Sequence, residues 1–194
     1  MAESISLCLP SKYSKAAAAA NSDPSVDWIK GTWTVTHSTL AMWRSARNVR
    51  ISYAPLPPNN DGSARIDDLV EYEPTSKTDV LKTVQGVDSQ SDDGGWDWRG
   101  KGWLFFVSSH WEVLGWGEEK AEDGSTERWA VTWFAPTVFT KEGIDVYSDR
   151  REGVSKDLYE RIEAALKKIE AKELVDMVEK DMRAVEIKLP WIEK

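Results

Sequence analysis

Gly31-Thr-Trp-Thr-Val-Thr-His37 is the stretch on which the fold turns. In an extended chain Trp33, Val35 and His37 fall on one side and Thr32, Thr34 and Thr36 on the other, the two-residue period of a strand. From Trp28 to about Phe139 such segments recur between turn clusters, at the spacing of an all-β barrel or sandwich. Residues 48–56 read as a second strand, with Val49, Ile51 and Tyr53 on one face. Pro57-Pro-Asn-Asn-Asp-Gly62 is a turn by composition. Residues 64–73 return, with Ile66, Val70 and Tyr72 sharing a face with Asp68. Residues 79–87, 96–100, 103–108, 111–118 and 127–135 complete eight strands, and residues 143–148 read as a short extra one. In 127–135, Trp129, Val131 and Trp133 oppose Ala130, Thr132 and Phe134. One of these faces meets a helix and the other a cavity, and the pattern alone does not say which.

Eight strands in sequence joined by short turns predict an up-and-down antiparallel barrel, whose interior is just wide enough for one small ligand. Beyond it, Val154, Leu158, Ile162, Leu166 and Ile169 recur every three or four residues among Lys and Glu. This is an amphipathic helix with a stripe to bury on the outside of the barrel. Leu174, Val178 and Met182 continue the pattern after a break near Ala171. The expected organisation is a flexible arm over 1–27, containing the Ala16 to Ala20 run, a barrel over 28–150 and a helical segment over 151–194.

Composition narrows the chemistry. The chain has 194 residues, enough for one domain. Lys plus Arg is 25 against Asp plus Glu 33, a net charge of −8, which argues against a nucleic-acid partner. No apolar stretch is long enough for membrane insertion. A single cysteine excludes an internal disulfide and a Cys-based zinc site, and with two histidines no metal is expected. No phosphate loop, nucleophile elbow or His-Glu-x-x-His motif occurs, so no cofactor is expected either. The start of the chain lacks a basic n-region and an apolar h-region, and the expected location is cytoplasmic. Homo-oligomerisation is left open. The unusual count is 11 tryptophans.

Gly31-Thr-Trp33 is similar to the Gly-x-Trp signature that opens the lipocalin barrel. Residues 102–117 resemble the lipocalin hairpin in which an aromatic residue starts the seventh strand. Residues 126–138 resemble the last barrel strand of bacterial-type lipocalins, which runs into a Pro-Thr turn before a helix. The likeness spans roughly Trp28 to Ile169. It implies an eight-stranded lipocalin-like barrel of the calycin superfamily, with Trp33 plugging the floor. It also implies a lid loop after the first strand, here carrying Met42 and Trp43. The family's arginine at the end of the last strand stacks on the signature tryptophan. Phe134 occupies that position here, so either Phe134 packs in its place or Arg150 or Arg151 reaches back.

The expected site lies in the barrel. His37 and Asp68, on inward-facing positions, are the candidate acid/base pair. Met42, Trp43, Tyr53, Tyr72, Trp98, Phe106, His110 and Trp116 are the candidate ligand-binding residues, chosen for flat apolar rings with polar handles. His110 falls at the hairpin between the sixth and seventh strands. The function these features imply is binding of a small hydrophobic molecule, aromatic or polyene-like. The alternative is a cofactor-free isomerase, cyclase or dehydratase using the same cavity.

Overall fold

The computed structural model describes residues 4–14, 23–92, 94–120 and 124–193. Eight antiparallel strands follow one another around a barrel in chain order. They are β1 (Gly31–Ser38), β2 (Ala46–Leu56), β3 (Arg65–Pro74), β4 (Lys82–Gln90), β5 (Trp96–Gly100), β6 (Ser108–Lys120), β7 (Thr126–Phe134) and β8 (Gly143–Ser148). The sheet closes on itself because β1 pairs with both neighbours, Trp33 opposite Ile51 of β2 and Val35 opposite Tyr147 of β8. Closure pairs each of the eight strands on both sides. A two-residue strand, β9 (Arg183–Ala184), pairs with the end of β1 that β2 leaves uncovered.

Two expected strands change places. Of residues 103–108, read as the sixth strand, 103–107 form a loop with a 3-10 turn at Gly102–Leu104, and Ser108 opens β6. Gly102 adopts φ 59, a left-handed conformation that turns the chain out of the sheet, and Trp103, Phe105 and Phe106 stand exposed on the loop. The segment read as an extra strand is β8, buried along its whole length and needed for closure.

The helical segment expected after the barrel is two helices, separated near Ala171 where the pattern breaks. Helix α1 (Val26–Ile29) precedes β1, and α2 (Lys156–Leu166) and α3 (Lys172–Asp181) follow β8. Leu158, Ile162 and Leu166 of α2, with Leu174 and Val178 of α3, bury against Trp129, Val131 and Trp133 of β7 and Ile144 and Val146 of β8. That decides the orientation of β7: its tryptophans lie outside under the helices, and Thr132 and Phe134 face the cavity. Part of the expected flexible arm belongs to the same layer. Leu7, Leu9 and Tyr13 pack on this cluster, and Cys8 N–H donates to Leu114 O at 2.8 Å. The Ala16 to Ala20 run lies outside the described residues.

The floor is a stack of rings. Trp33 is fully buried and donates Nε1–H to Ile29 O at 2.6 Å. Trp28 lies 5.1 Å from Trp33 and 4.7 Å from Trp116, centroid to centroid. The cation over Trp33 is Arg128, 5.0 Å from its ring, held by Asp149 at 2.9 Å and by Trp28 O at 2.7 Å. None of the expected substitutes fills that place. Phe134 ends β7 at the opposite mouth of the barrel, Arg150 pairs with Glu152, and Arg151 covers Trp191. The arginine is found at the start of β7 because β7 is the seventh barrel strand, not the last.

Removing apolar volume between helix and barrel opens a cavity on a fully buried surface. Ile162→Ala should lower stability by about 2–5 kcal/mol, measured by chemical denaturation.

Candidate ligand cavity

The connections β1–β2, β3–β4, β5–β6 and β7–β8 share one end of an up-and-down barrel, the mouth; α1 lies at the other. Behind the mouth is a cavity of about 160 Å³ lined by Leu40, Ile51, Tyr53, Asp68, Val70, Trp98, Ser109, Trp111, Thr132, Phe134, Asp145 and Tyr147. Its aromatic wall is built by strand register. Trp98 stands opposite Asp88, while Trp96 and Phe134 both stand opposite Trp111. Tyr53 stacks on Trp111 at 5.8 Å, and Trp96 lies 6.0 Å from Trp111. Gly86 makes room for the Trp98 indole, since a Cβ there would lie 2.1 Å from Trp98 Nε1.

The polar part of the wall consists of carboxyls and hydroxyls. Asp68 is 6% exposed and lies beside Asp88, whose Oδ1 accepts from Trp111 Nε1 at 2.7 Å. Burial first, then repulsion from Asp88, raises the Asp68 carboxyl well above the ordinary range, and burial raises Asp88 as well. Two adjacent carboxyls in a low-dielectric interior hold a proton between them. Asp145 of β8 is 3% exposed, and burial pushes it up to about 7 against the pull of Ser38, Trp43 and Arg44. Tyr53 and Tyr147 are raised by burial too and remain neutral donors. Asp68 Oδ1, Asp145 Oδ1 and Thr132 Oγ1 are buried without a hydrogen-bond partner among the described residues.

The expected site residues divide by position. Asp68, Tyr53 and Trp98 line the cavity. Trp43 is buried in the barrel core beside Asp145, its ring edge-on to Tyr72 at 5.5 Å. Met42 is exposed on the β1–β2 connection, and Phe106 is exposed on the β5–β6 loop beside Phe105 and Phe139. Trp116 belongs to the floor stack with Trp28. His110 bridges Asp97 at 2.8 Å and Glu112 at 3.3 Å, away from the cavity lining, and Glu112 followed by Asp97 raises its pKa against burial.

His37 departs furthest from expectation. Its ring stacks on Tyr159 of α2 at 3.4 Å, outside the barrel. A bulge explains this: Val35 pairs with Tyr147, but His37 pairs with the very next residue of β8, Val146. One extra residue in β1 reverses the alternation, so His37 faces the helix while Ser38 turns inward toward Asp145. His37 and Asp68 are therefore not brought together. Burial lowers the His37 pKa to about 4, leaving it neutral at physiological pH.

No family model and no curated protein matches the chain by sequence. Solved structures do match. Lobster apocrustacyanin A1 aligns with a TM-score of 0.53 at 12% identity, over 96% of this chain and 91% of that one. Apocrustacyanin C1 aligns at 0.57 and 11% identity, with the same coverage. Apocrustacyanin C2 gives 0.53 and 12% identity, over 95% and 91%. The fold is a lipocalin-like barrel. Among the described residues of this lipocalin-like barrel, no helix is long and apolar enough to cross a membrane, and no group of three or more His, Cys, Asp and Glu is placed to hold a metal ion.

The acids Asp88 and Asp145 were missed in the sequence, although each had a signal. Asp145 alternates with Ile144 and Val146 once 143–148 is counted as a barrel strand. Asp88 lies one residue beyond the expected end of the fourth strand, two positions from Gly86 on the same face.

Two groups tie stability to pH with opposite signs. Asp145 moves from 3.8 up to about 7, so between those values the folded chain retains a proton that the unfolded chain has released. Its contribution to stability therefore falls as pH rises through that window. Asp145→Asn should stabilise the ligand-free protein at about pH 8 by a few kcal/mol and leave it nearly unchanged at about pH 4, by urea denaturation. His37 moves from 6.5 down to about 4, so the stability it contributes is present above 6.5 and lost as pH falls toward 4. His37→Phe keeps a ring against Tyr159 and should remove that acid-side loss in a melting series across the same range.

Proposed function

We propose that this protein binds one small, flat apolar molecule inside the barrel. The carrying observation is a cavity of about 160 Å³ walled by Trp98, Trp111, Phe134, Tyr53 and Tyr147. A dry engineered cavity of about 150 Å³ accepts benzene, so this space suits a single ring with a short substituent. Drug-sized ligands occupy roughly 300–1,000 Å³. Size thus favours an aromatic ligand over an extended polyene. The lipocalin-like fold supports a barrel-binding role, and the single thiol of Cys8 is in keeping with a reducing, cytoplasmic compartment. The enzyme alternative would draw on Asp68 with Asp88, because His37 stands outside. Binding is the reading to which the aromatic walls contribute directly.

Toluene and cresol should bind, detected by calorimetry and by a change in tryptophan emission, since Trp98 and Trp111 form the wall. Val70→Phe places extra volume in the cavity and should weaken both by at least about tenfold. Undiminished binding to this variant would put the ligand elsewhere and defeat the proposal.

A further inference from the structure

Among the described residues, the carboxyls of the cavity form no ion pair. The groups acting on Asp68 are burial and two further acids, Asp88 and Asp67. The cation that reaches Asp145 is Arg44, whose guanidinium is already committed to Ser38 O at 2.9 Å and Asp181 O at 2.6 Å. Elsewhere the protein pairs its buried acids. Glu73 meets Arg47 at 3.1 Å and Asn48 at 2.9 Å, and Glu127 meets Ser155 N–H at 3.0 Å. An acid left unpaired in an apolar interior costs stability, and such groups in a cavity are the signature of a site rather than of a core. Here two of them, Asp68 and Asp145, present an unpartnered oxygen in the same aromatic-walled space, beside the unpartnered hydroxyl of Thr132.

We propose that the natural ligand is a small aromatic amine in its protonated form, with the ring between Trp98, Trp111 and Phe134 and the ammonium group received by Asp68 and Asp145. This inference rests on the cavity-binding reading above and names its ligand class. An ammonium has three donors and one positive charge. It satisfies the orphaned oxygens and supplies the missing counter-charge in one step. Flat indole and phenol faces attract the same cation. The adjacent carboxyls Asp68 and Asp88, both raised by burial, can adjust their charge to a single incoming cation. A neutral ring of the same size would gain the apolar contacts and leave the carboxyls as they were.

The test compares phenethylamine with its near-isostere phenethyl alcohol by calorimetry at about pH 8, where the amine is charged, using the wild type, Asp68→Asn and Asp145→Asn. Toluene serves as the apolar control. The expected result is an amine bound about 10- to 100-fold more tightly than the alcohol by the wild type. Each Asn variant should lose most of that preference while holding alcohol and toluene about as well as before. The wild-type comparison needs no variant to fold, and toluene binding reports that each variant still forms the cavity. Alcohol bound as well as the amine, or an unchanged preference in both variants, overturns the charge recognition while leaving the apolar cavity standing. Failure of toluene, alcohol and amine alike to bind the wild type overturns the cavity-binding reading, and this inference with it.

Discussion

The structure depends on the double pairing of β1. At one end of that strand Trp33 faces Ile51 of β2; toward the other, Val35 faces Tyr147 of β8. Once both ladders form, every other strand has a defined inside and outside, and a slip by one residue would carry a whole hydrophobic face into the wrong layer. The two apolar layers are consequences of closure. One lies within the barrel around Trp33, Val49 and Ile66, and the other lies outside it beneath α2 and α3. With Ala130 and Phe134 on one face and Trp129, Val131 and Trp133 on the other, β7 could not be exposed on either side. The helices are needed to cover it.

The two-residue period made the barrel legible. The shared face of Ile66, Asp68 and Val70 on β3 follows from alternation, and the stripe of α2 from its three-to-four-residue period. What alternation cannot show is an interruption of itself. The β1 bulge leaves no mark in Gly31-Thr-Trp-Thr-Val-Thr-His37, because the threonines tolerate either environment and His37 suits both a cavity and a helix interface. The exchange of residues 103–108 for 143–148 has another cause. An apolar run reads as a strand whether its rings are buried or exposed, and here Trp103 is 75% and Phe105 64% exposed. Gly102, with its left-handed φ, was the available signal against a strand.

The 11 tryptophans serve several distinct purposes. Trp28, Trp33 and Trp116 form the floor with Arg128. Trp129 and Trp133 seat the helices, and Trp191 lies between Arg50 and Arg151, each 4.8 Å from its ring. Trp96, Trp98 and Trp111 gather on adjacent strands about the cavity. In this last group Gly86 clears the place of Trp98, and the bond from Trp111 to Asp88 joins the aromatic wall to the buried acids.

That combination bears on why the acids are there. A barrel built for stability alone would fill the positions of Asp68 and Asp145 with aliphatic side chains, since replacing buried ionisable groups by apolar ones of similar size is commonly neutral or stabilising. The surrounding strands show that the fold has no difficulty supplying them: Ile66 and Val70 flank Asp68 on the same face, and Ile51 lies across the cavity wall. Each of the two acids also keeps one oxygen, Oδ1, that ties no strand to another among the described residues. The cost of those unpartnered oxygens is not offset by an ion pair in the ligand-free protein. It is recovered only when something cationic enters, and the aromatic walls around it define what that molecule must otherwise be.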